Sequence, residues 1–577
     1  MTSKFLSFIG AVALSMSIAP FAASAAAKPY NPDNTPEKDK QPIPTLSLML
    51  AGGALSVCSS LSPKHCTADT SFPDKAKTRH LYELSEQSLA RFQATPAWAR
   101  LNVDTQRALL SALGSGLWAL GSADSNILDV EALHDLLGPL GNTLNDASYF
   151  ALLDTLEWVQ LTPEGEPKTE QVRLAQGKNA QGASHFSAFV SRAARRAGNQ
   201  PPKIGIVTAS ARDPFEAASF YQQAFTQAGA IAQWLPLDSA LQQAWEFDDK
   251  EAGCNKLAAL GETYQGYHDR QRVYPALWDK FNQVCLNPEQ LLHTLASLDG
   301  LFLSGGDQSL TLAAWLGADG QPSAALELVK QRFANGELII GGTSAGTAVM
   351  ASGAMITGGT SQGALDFGVV ASAPVSERCE ELSCEALNPA NTLTYRPGGG
   401  LGLYPFGVTD THFSERDRQI RLLLLQDKSQ TGLAVGVDEN TALWLSKDGQ
   451  YGVIEGEGGV WFSEPASETQ GVIEINAAKS HGPNSDKAQT HQSPAHSHII
   501  HYLPHGTRLR LSRDKIRVEE PQGELHEVSC AGFIPAWLPR DGFTLIHQPY
   551  SQCHSLGYYQ SLGLEHSTGV SSDKLTQ

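Results

Sequence analysis

The alternation of apolar and polar positions predicts strands followed by helices along most of the chain. Short apolar runs of strand length end in glycine turns or lead into segments with apolar residues at helical spacing. We predict strands at 45–50, 203–208, 231–237, 298–304, 406–410, 432–437, 441–446, 471–477 and 498–503, and helices at 185–197, 215–229, 310–316, 324–335 and 414–427. This order predicts an α/β fold with a mostly parallel sheet and helices on both faces.

A different pattern fills residues 75–165. Apolar residues recur there at helical spacing, as in the run Leu81, Leu84, Leu89 and Phe92. We predict four or five helices, inserted between a first strand in 45–60 and the main α/β domain at 185–515. We expect residues 26–44 to be a flexible N-terminus, 352–400 a long loop region, and 516–577 a small C-terminal extension.

The segment 337–350 joins an apolar, strand-like run to small residues that suit a closely packed helix. Gly342, Ser344 and Gly346 fit G-x-S-x-G, in which a strained strand-to-helix turn exposes a nucleophilic serine. A Cβ at either glycine would collide with a neighbouring strand or helix, and the N–H of Ala345 would face an oxyanion formed at the serine. A glycine-rich turn that only packs a helix on a strand has the same pattern, so other residues must decide.

Composition excludes some classes of function and indicates where the protein works. The 577 residues carry a formal net charge of −18, which argues against nucleic acid as a partner. Residues 1–25 have one lysine, an apolar core and the small-residue site Ala23–Ser24–Ala25, as in a cleaved signal peptide. No later run reaches the roughly 18 apolar residues that a membrane span needs. We therefore expect a secreted or periplasmic protein that binds no membrane and needs no cofactor.

The cysteine count is even, which fits an exported protein with disulfides. Neighbours along the chain suggest four local pairs, although sequence does not fix the connectivity: Cys58–Cys66, Cys254–Cys285, Cys379–Cys384 and Cys530–Cys553. None of these pairs is C-x-x-C beside histidines, so zinc is disfavoured. His481, His491 and His496 in a polar loop form only a weak metal pattern, and we expect no metal.

A serine nucleophile needs a base within hydrogen-bond reach and a carboxylate that orients this base. His412 follows the predicted strand 406–410, and strand ends are where functional groups gather in open α/β sheets. Glu439, with Asp438 as its neighbour, lies between the predicted strands 432–437 and 441–446, which we expect to pair with each other. A structural histidine at a corner and an ordinary hairpin turn explain these residues equally well, so both roles stay open on spacing alone.

Further polar residues follow the histidine and a second glycine turn. Arg416, Arg418 and Arg421 come at helical spacing, with the last two on one face, which also fits a solvated helix. Gly306 and Gln308 lie in a turn between a predicted strand and helix, where the first can supply an oxyanion donor and the second can reach a substrate. The chain order serine, histidine, glutamate differs from that of α/β-hydrolases, which disfavours a lipase or esterase.

At these residues the chain resembles the cyanophycinases, serine peptidases with a fold similar to class I glutamine amidotransferases. Six pieces match in chain order: Leu-Ala-Gly-Gly (50–53), Ile-Val-Thr-Ala-Ser (206–210), Ser-Gly-Gly-Asp-Gln (304–308), Gly-Thr-Ser-Ala-Gly (342–346), Asp-Thr-His-Phe-Ser-Glu-Arg-Asp-Arg (410–418) with Arg421, and Val-Asp-Glu (437–439). They span about 45–515 without the helical insertion. One such motif is weak, whereas six in order are specific.

The resemblance implies that Ser344 is the nucleophile, His412 the general base and Glu439 the orienting carboxylate. It also implies that the substrate site is lined by Gln308, Asp410, Thr411, Arg416, Arg418 and Arg421. Members of the family cleave cyanophycin, a polyaspartate with arginine on each side-chain carboxylate, and release β-aspartyl-arginine dipeptides. Arginines suit the free carboxylates of this polymer, and acidic groups suit its guanidinium groups.

The chain departs from the family pattern at Thr411, where glutamine is common, and at Asp417, where glycine is common. The insertion and the cysteines have no counterpart in short intracellular members. One alternative is a dipeptidase of the same fold that acts on short aspartyl or isoaspartyl peptides. Another is a non-catalytic binding protein, which the intact serine, histidine and glutamate disfavour. An amidotransferase is disfavoured because that relative has cysteine at the elbow, and a homodimer stays open.

Overall fold

The computed structural model describes residues 44–120, 126–198, 200–317, 319–373, 389, 391–465, 473–475, 497–519, 525–527 and 543–545. The strands are β1 Leu46–Ala51, β2 Tyr82–Glu83, β3 Ile127–Leu128, β4 Lys203–Val207, β5 Ile231–Trp234, β6 Gly300–Leu303, β7 Ile339–Thr343, β8 Met355–Gly358, β9 Val369–Ala371, β10 Leu393–Arg396, β11 Thr409–Thr411, β12 Ala434–Val437, β13 Thr441–Ser446, β14 Tyr451–Gly456, β15 Gly459–Pro465, β16 Ile473–Ile475, β17 Ser497–Pro504, β18 Arg508–Leu511, β19 Ile516–Glu519, β20 Leu525–Glu527 and β21 Phe543–Leu545.

The α-helices are α1 Glu86–Gln93, α2 Pro96–Arg100, α3 Val103–Leu120, α4 Val130–Leu137, α5 Asp146–Leu156, α6 Ala180–Ala194, α7 Pro214–Gln227, α8 Ser239–Trp245, α9 Lys250–Cys254, α10 Leu257–Leu260, α11 Arg270–Val273, α12 Pro275–Leu286, α13 Pro288–Ala296, α14 Gln308–Trp315, α15 Ala324–Ala334, α16 Ala345–Ala348, α17 Ser361–Phe367 and α18 Gln419–Ser429. None of these helices has the length and apolar character that crossing a membrane requires.

A ten-stranded sheet carries the site, in the order β20-β19-β18-β14-β13-β1-β7-β6-β4-β5. Strands β5, β4, β6, β7 and β1 run parallel, as the alternation of strands and helices predicts. From β13 onward each neighbour is antiparallel, so the whole sheet is mixed. The predicted α/β class is confirmed, and β19 and β20, which lie within the predicted C-terminal extension, are the last strands of this sheet.

Both faces of the sheet are covered by helices. Leu48 and Leu50 of β1 belong to one apolar core, together with residues of α8 and α12–α15. Met49 and Ala51, the alternate residues of the same strand, belong to a second core with α6 and α7. A strand that is buried on both faces needs an uninterrupted apolar sequence, which explains why 46–51 contains no charged residue.

The predicted pairing of 432–437 with 441–446 is wrong. β12 pairs with β11 and β15 in a six-stranded sheet, whereas β13 pairs with β1 and β14 in the ten-stranded sheet. The intervening residues 438–440 therefore cross from one sheet to the other instead of closing a hairpin. Val435 and Phe462 of the smaller sheet share an apolar core with Leu443, so burial between the sheets outweighs local pairing.

The described part of the region 352–400, residues 352–373, 389 and 391–400, contains regular structure instead of the predicted long loop. β8, β10 and β9 form a three-stranded sheet, and α17 lies between β8 and β9 along the chain. Ala364 of α17 packs in one apolar cluster with Leu422 of α18. These strands are only three or four residues long, which is too short for a clear sequence period.

Two of the predicted disulfides, Cys58–Cys66 and Cys254–Cys285, are confirmed. The other two pairs, Cys379–Cys384 and Cys530–Cys553, lie outside the described residues, as do the predicted signal peptide at 1–25 and the histidines at 481, 491 and 496.

Helices α1–α5, within the predicted insertion, share an apolar core of their own. Buried ion pairs connect this segment to the main sheet domain. Arg270, 1% exposed, donates to Asp213 Oδ2 at 2.6 Å and to Glu157 Oε2 at 2.9 Å. Asp154 of α5 accepts two hydrogen bonds from Arg212, at 2.7 and 3.0 Å. The arginines come from the main domain and the carboxylates Asp154 and Glu157 from the helical segment, so this buried network joins the two.

We predict that Arg270→Met lowers the free energy of unfolding by about 3–5 kcal/mol, because it leaves Asp213 and Glu157 buried without their shared cation. Urea unfolding followed by circular dichroism measures the change. Arg107→Met is the matched control, since the ion pair of Arg107 within the described residues is with Asp104, on the exposed surface of α3. Equal midpoints for the Arg270 variant and the wild type would show that the network does not stabilise the fold.

Candidate active site

Ser344 lies at the turn between β7 and α16, at the carboxyl end of a parallel strand. Its backbone has a φ of 53° and a ψ of −118°, and a positive φ of this kind costs roughly 1–3 kcal/mol in a residue other than glycine. A Cβ on Gly342 would collide with the carbonyl of Gly346, and a Cβ on Gly346 with the carbonyl of Leu303. Close packing therefore requires both glycines of the G-x-S-x-G motif.

A continuous hydrogen-bond chain joins Ser344, His412 and Glu439. The Nε2 atom of His412 lies 2.8 Å from Ser344 Oγ, and its Nδ1 atom lies 2.6 Å from Glu439 Oε1. A carboxylate at Nδ1 favours the tautomer with its proton on that nitrogen, which leaves Nε2 free to accept the serine proton. The structure thus brings together the three residues that the sequence singled out, in the geometry of an activated serine.

The carboxyl end of β1 binds all three segments of this chain of hydrogen bonds. Three successive carbonyl groups each accept one backbone N–H from a different segment: Ala51 from Ser344 at 3.0 Å, Gly52 from His412 at 2.7 Å and Gly53 from Asn440 at 3.0 Å. Gly53 has a φ of 112°, and a Cβ at this position would collide with the imidazole ring of His412. The Gly52–Gly53 turn is therefore part of the site, although the sequence reading took it only as a strand end.

Asn440 is a second residue whose role the sequence reading missed. It has a φ of 50°, which asparagine tolerates better than most residues. Its carbonyl lies 2.9 Å from His185 Nε2, and its side-chain oxygen accepts the N–H of Ser56 at 3.0 Å. These contacts fix the turn that carries Glu439. The sequence feature that could have indicated this role is the asparagine directly after Asp438 and Glu439.

Burial and nearby charge set the protonation of His412. Burial lowers the pKa of His412 below its ordinary value, the hydrogen bond to Glu439 opposes this shift, and the positive charge of Arg416 adds to it. The neutral ring is the form that can take a proton from Ser344. The lowered pKa therefore favours the neutral ring of His412 at neutral pH.

The predicted oxyanion donors lie close to Ser344. A Cβ on Gly305 would be 3.1 Å from the Cβ of Ser344, so the Gly305–Gly306 turn borders the serine directly. Gly306 has a φ of 143° and packs against the carbonyl of Ser210, which leaves no room for a side chain. Ala345 follows the serine as the first residue of α16.

Three of the residues expected to line a substrate surface are instead buried. Asp410, Thr411 and Arg421 are 1%, 2% and 5% exposed. Asp410 accepts two hydrogen bonds from Arg421, at 2.6 and 2.7 Å, and one from Arg418 at 3.2 Å. Burial alone would raise the pKa of Asp410, but the guanidinium groups of Arg421 and Arg418 hold it below its usual value. This ion cluster joins β11, the strand that His412 follows, to α18.

The other expected residues keep some access to solvent. Arg416 is exposed, and Gln308 is half-buried with its Nε2 donating to the carbonyl of Ile356 at 2.7 Å. Arg418 is half-buried, donates to the carbonyl of Thr411 at 2.7 Å, and has a pKa that burial lowers to about 10. Arg416 is therefore the freest cation of this group. Within the described ranges, no three histidine, cysteine or acidic side chains group as metal ligands.

Comparison with known proteins finds relatives named cyanophycinase. Those of Trichormus variabilis, Synechococcus elongatus and Geminocystis herdmanii are 29%, 33% and 31% identical over 222, 177 and 208 residues. These regions cover 38%, 31% and 36% of this chain and 60%, 45% and 61% of the relatives, so the chain matches about half of their length. These similarities confirm the predicted relationship to the cyanophycinases.

No protein-family model matches the chain. The crystal structure of a peptidase from an acI-B1 actinobacterium aligns with 48% of this chain and 83% of its own chain, at 15% identity and a TM-score of 0.28.

We predict that Gly53→Ala slows covalent modification of Ser344 by a fluorophosphonate on the order of ten- to hundredfold, because the added Cβ displaces the His412 ring. Intact-mass spectrometry measures the rate. Gly165→Ala is the matched control, since Gly165 also has a positive φ of 87° but open space around a Cβ. Equal slowing in both variants would assign the effect to backbone strain and not to the collision.

We also predict that this modification rate falls as pH drops, with a midpoint below the ordinary histidine value of about 6.5. The lowered pKa of His412 keeps the ring neutral to a lower pH than in a free histidine. In Glu439→Gln the carboxylate that raises the pKa is lost, so the midpoint should shift lower still. A midpoint at or above the ordinary value in the wild type would contradict the assignment.

Proposed function

We propose that this chain is an exported serine peptidase that hydrolyses cyanophycin to β-Asp-Arg dipeptides. The observation that carries the proposal is the hydrogen-bond chain from Ser344 through His412 to Glu439, placed on a strained turn at the carboxyl edge of the sheet. The named relatives support the choice of substrate, since they are cyanophycinases.

The chemistry follows from these atoms. Ser344 Oγ attacks the scissile carbonyl while His412 Nε2 takes its proton, and Glu439 stabilises the imidazolium that forms. The backbone N–H groups of Gly306 and Ala345 bind the oxyanion of the tetrahedral intermediate. His412 then gives its proton to the leaving amine, and a water molecule activated by the same ring hydrolyses the acyl-enzyme.

The arginines near the serine suit a peptide whose side groups carry free carboxylates. Arg416 is exposed near His412, where it can bind a free carboxylate of the substrate. Arg418 and Gln308 are the next candidates for contact. Asp410, Thr411 and Arg421 act on the substrate only indirectly in this proposal, because they are buried and the two ions pair with each other.

Export is the second part of the proposal. The signal-like sequence at 1–25 and the disulfides Cys58–Cys66 and Cys254–Cys285 support a protein that acts outside the cytoplasm. An exported enzyme of this kind could reach and degrade polymer that lies outside the cell.

We predict that the mature protein releases β-Asp-Arg from purified cyanophycin and that Ser344→Ala lowers turnover by about 10⁴–10⁶, because the attacking oxygen is lost. Chromatography of the soluble products measures the release. Hydrolysis of short isoaspartyl peptides without attack on the polymer would identify the dipeptidase alternative. Equal release by both proteins would exclude Ser344 as the nucleophile, and binding of the polymer without any hydrolysis would favour a non-catalytic protein.

A further inference from the structure

Two short turns carry the histidine and the glutamate of the hydrogen-bond chain. The turn 412–416 follows β11, and the turn 438–440 follows β12. The two strands are parallel neighbours with Thr411 opposite Val437, so both turns leave the sheet side by side at the same edge. Their relative position sets the distance between His412 Nδ1 and Glu439 Oε1.

The two turns are joined by reciprocal hydrogen bonds. The N–H of Ser414 donates to Asp438 Oδ1 at 3.0 Å, and the N–H of Glu439 donates to Glu415 Oε1 at 3.2 Å. Each turn thus supplies one backbone donor and one carboxylate acceptor to the other, in the manner of a capping box at a helix start. We call this pair of hydrogen bonds the carboxylate clamp.

The two carboxylates of the clamp differ in how firmly they are held. Asp438 is 2% exposed, and its Oδ2 accepts the N–H of Gly459 at 3.2 Å and the hydroxyl of Tyr502 at 2.6 Å. Both partners belong to strands of the six-stranded sheet, so Asp438 has a fixed position. Glu415 lies on an exposed turn. The adjustable half of the clamp is therefore Glu415.

Glu415 keeps its position against an electrostatic cost. Partial desolvation raises its pKa to about 7, and the carboxylates of Asp438 and Glu439 contribute to the rise. An exposed glutamate with no structural role would turn outward into water and away from two other carboxylates. The hydrogen bond from the Glu439 N–H instead holds the Glu415 carboxylate close to Asp438 and Glu439.

We propose that Glu415 is a positioning residue that, through the carboxylate clamp, holds the Glu439 turn so that its side chain orients His412. The proposal rests on the proposed function, because it assumes that the hydrogen-bond chain, or relay, from Ser344 through His412 to Glu439 activates the serine. Glu415 does not touch the reacting atoms. Its loss should slow the chemical step and leave substrate binding unchanged.

Three substitutions separate the reach of this side chain from its charge. Glu415→Gln keeps an oxygen acceptor at the same distance but loses the charge, whereas Glu415→Asp keeps the charge but withdraws it from the Glu439 N–H by one methylene. Glu415→Ala removes both. Glu327→Ala, at an exposed position of α15, is the control.

We expect Glu415→Ala and Glu415→Asp to lower kcat and the fluorophosphonate labelling rate of Ser344 on the order of ten- to hundredfold, with KM unchanged. Glu415→Gln should restore most of both rates. If the alanine variant fails to fold, the contrast between the Asp and Gln variants decides. A fast Asp variant with a slow Gln variant would overturn the proposal in favour of a charge effect. Wild-type rates in the alanine variant, or a raised KM with full kcat, would also overturn it.

Labelling by the fluorophosphonate separates this proposal from the proposed function. A wild type that is labelled at Ser344 but releases no dipeptide refutes the substrate, while the dependence of labelling on Glu415 still tests the clamp. A wild type that is not labelled at all refutes both, because the relay is then inactive.

Discussion

The constraint on which the site depends is the close approach of the Asp438 backbone to Gly52 and of the His412 ring to Gly53. Three segments that follow the end of β1 hundreds of residues later in the sequence converge on it, because three consecutive carbonyls each bind a different segment. Side chains at these two positions would collide with Asp438 and His412. The serine, the histidine and the glutamate are therefore placed by main-chain hydrogen bonds, which vary little with side-chain motion.

Buried, hydrogen-bonded carboxylates lie close to His412 and Glu439 in the sequence. Asp410, two residues before His412, pairs with Arg421, and Asp438, next to Glu439, accepts hydrogen bonds from Gly459 and Tyr502. A buried carboxylate is costly unless its lone pairs are satisfied, so such groups fix geometry more than they add stability. The relay itself is left partly open, with the side chain of Glu439 30% exposed, which suits a site that a substrate must reach.

The sequence predicted the parts of the site that follow from local pattern. The apolar strand, the glycines and the serine at 337–350 form one local unit, and His412 directly follows a strand, so short-range reasoning singled out both as candidates. Their expected roles came from the resemblance to the cyanophycinases. It failed where the answer depends on which sheet a strand joins. The Asp438–Asn440 segment has the composition of a hairpin turn, yet it crosses between sheets, because β12 and β13 each find a better partner elsewhere. The burial of Asp410 and Arg421 likewise depends on how α18 packs, which residue spacing alone cannot give.

One hydrogen-bonded route among the described residues leads from the helical segment toward the site. Asp154 of α5 binds Arg212, and Arg212 lies two residues after Ser210, whose carbonyl accepts the N–H of Asp307 at 2.7 Å. Gly306 packs on that same carbonyl. A helical segment held by apolar contacts could shift on the main domain at little cost in free energy, because such contacts have no preferred direction. The hydrogen bonds of Arg212 and Arg270 have strict geometry and would be broken by such a shift. The ion pair between Asp154 and Arg212 therefore ties α5 to the loop against which the glycine turn beside Ser344 packs.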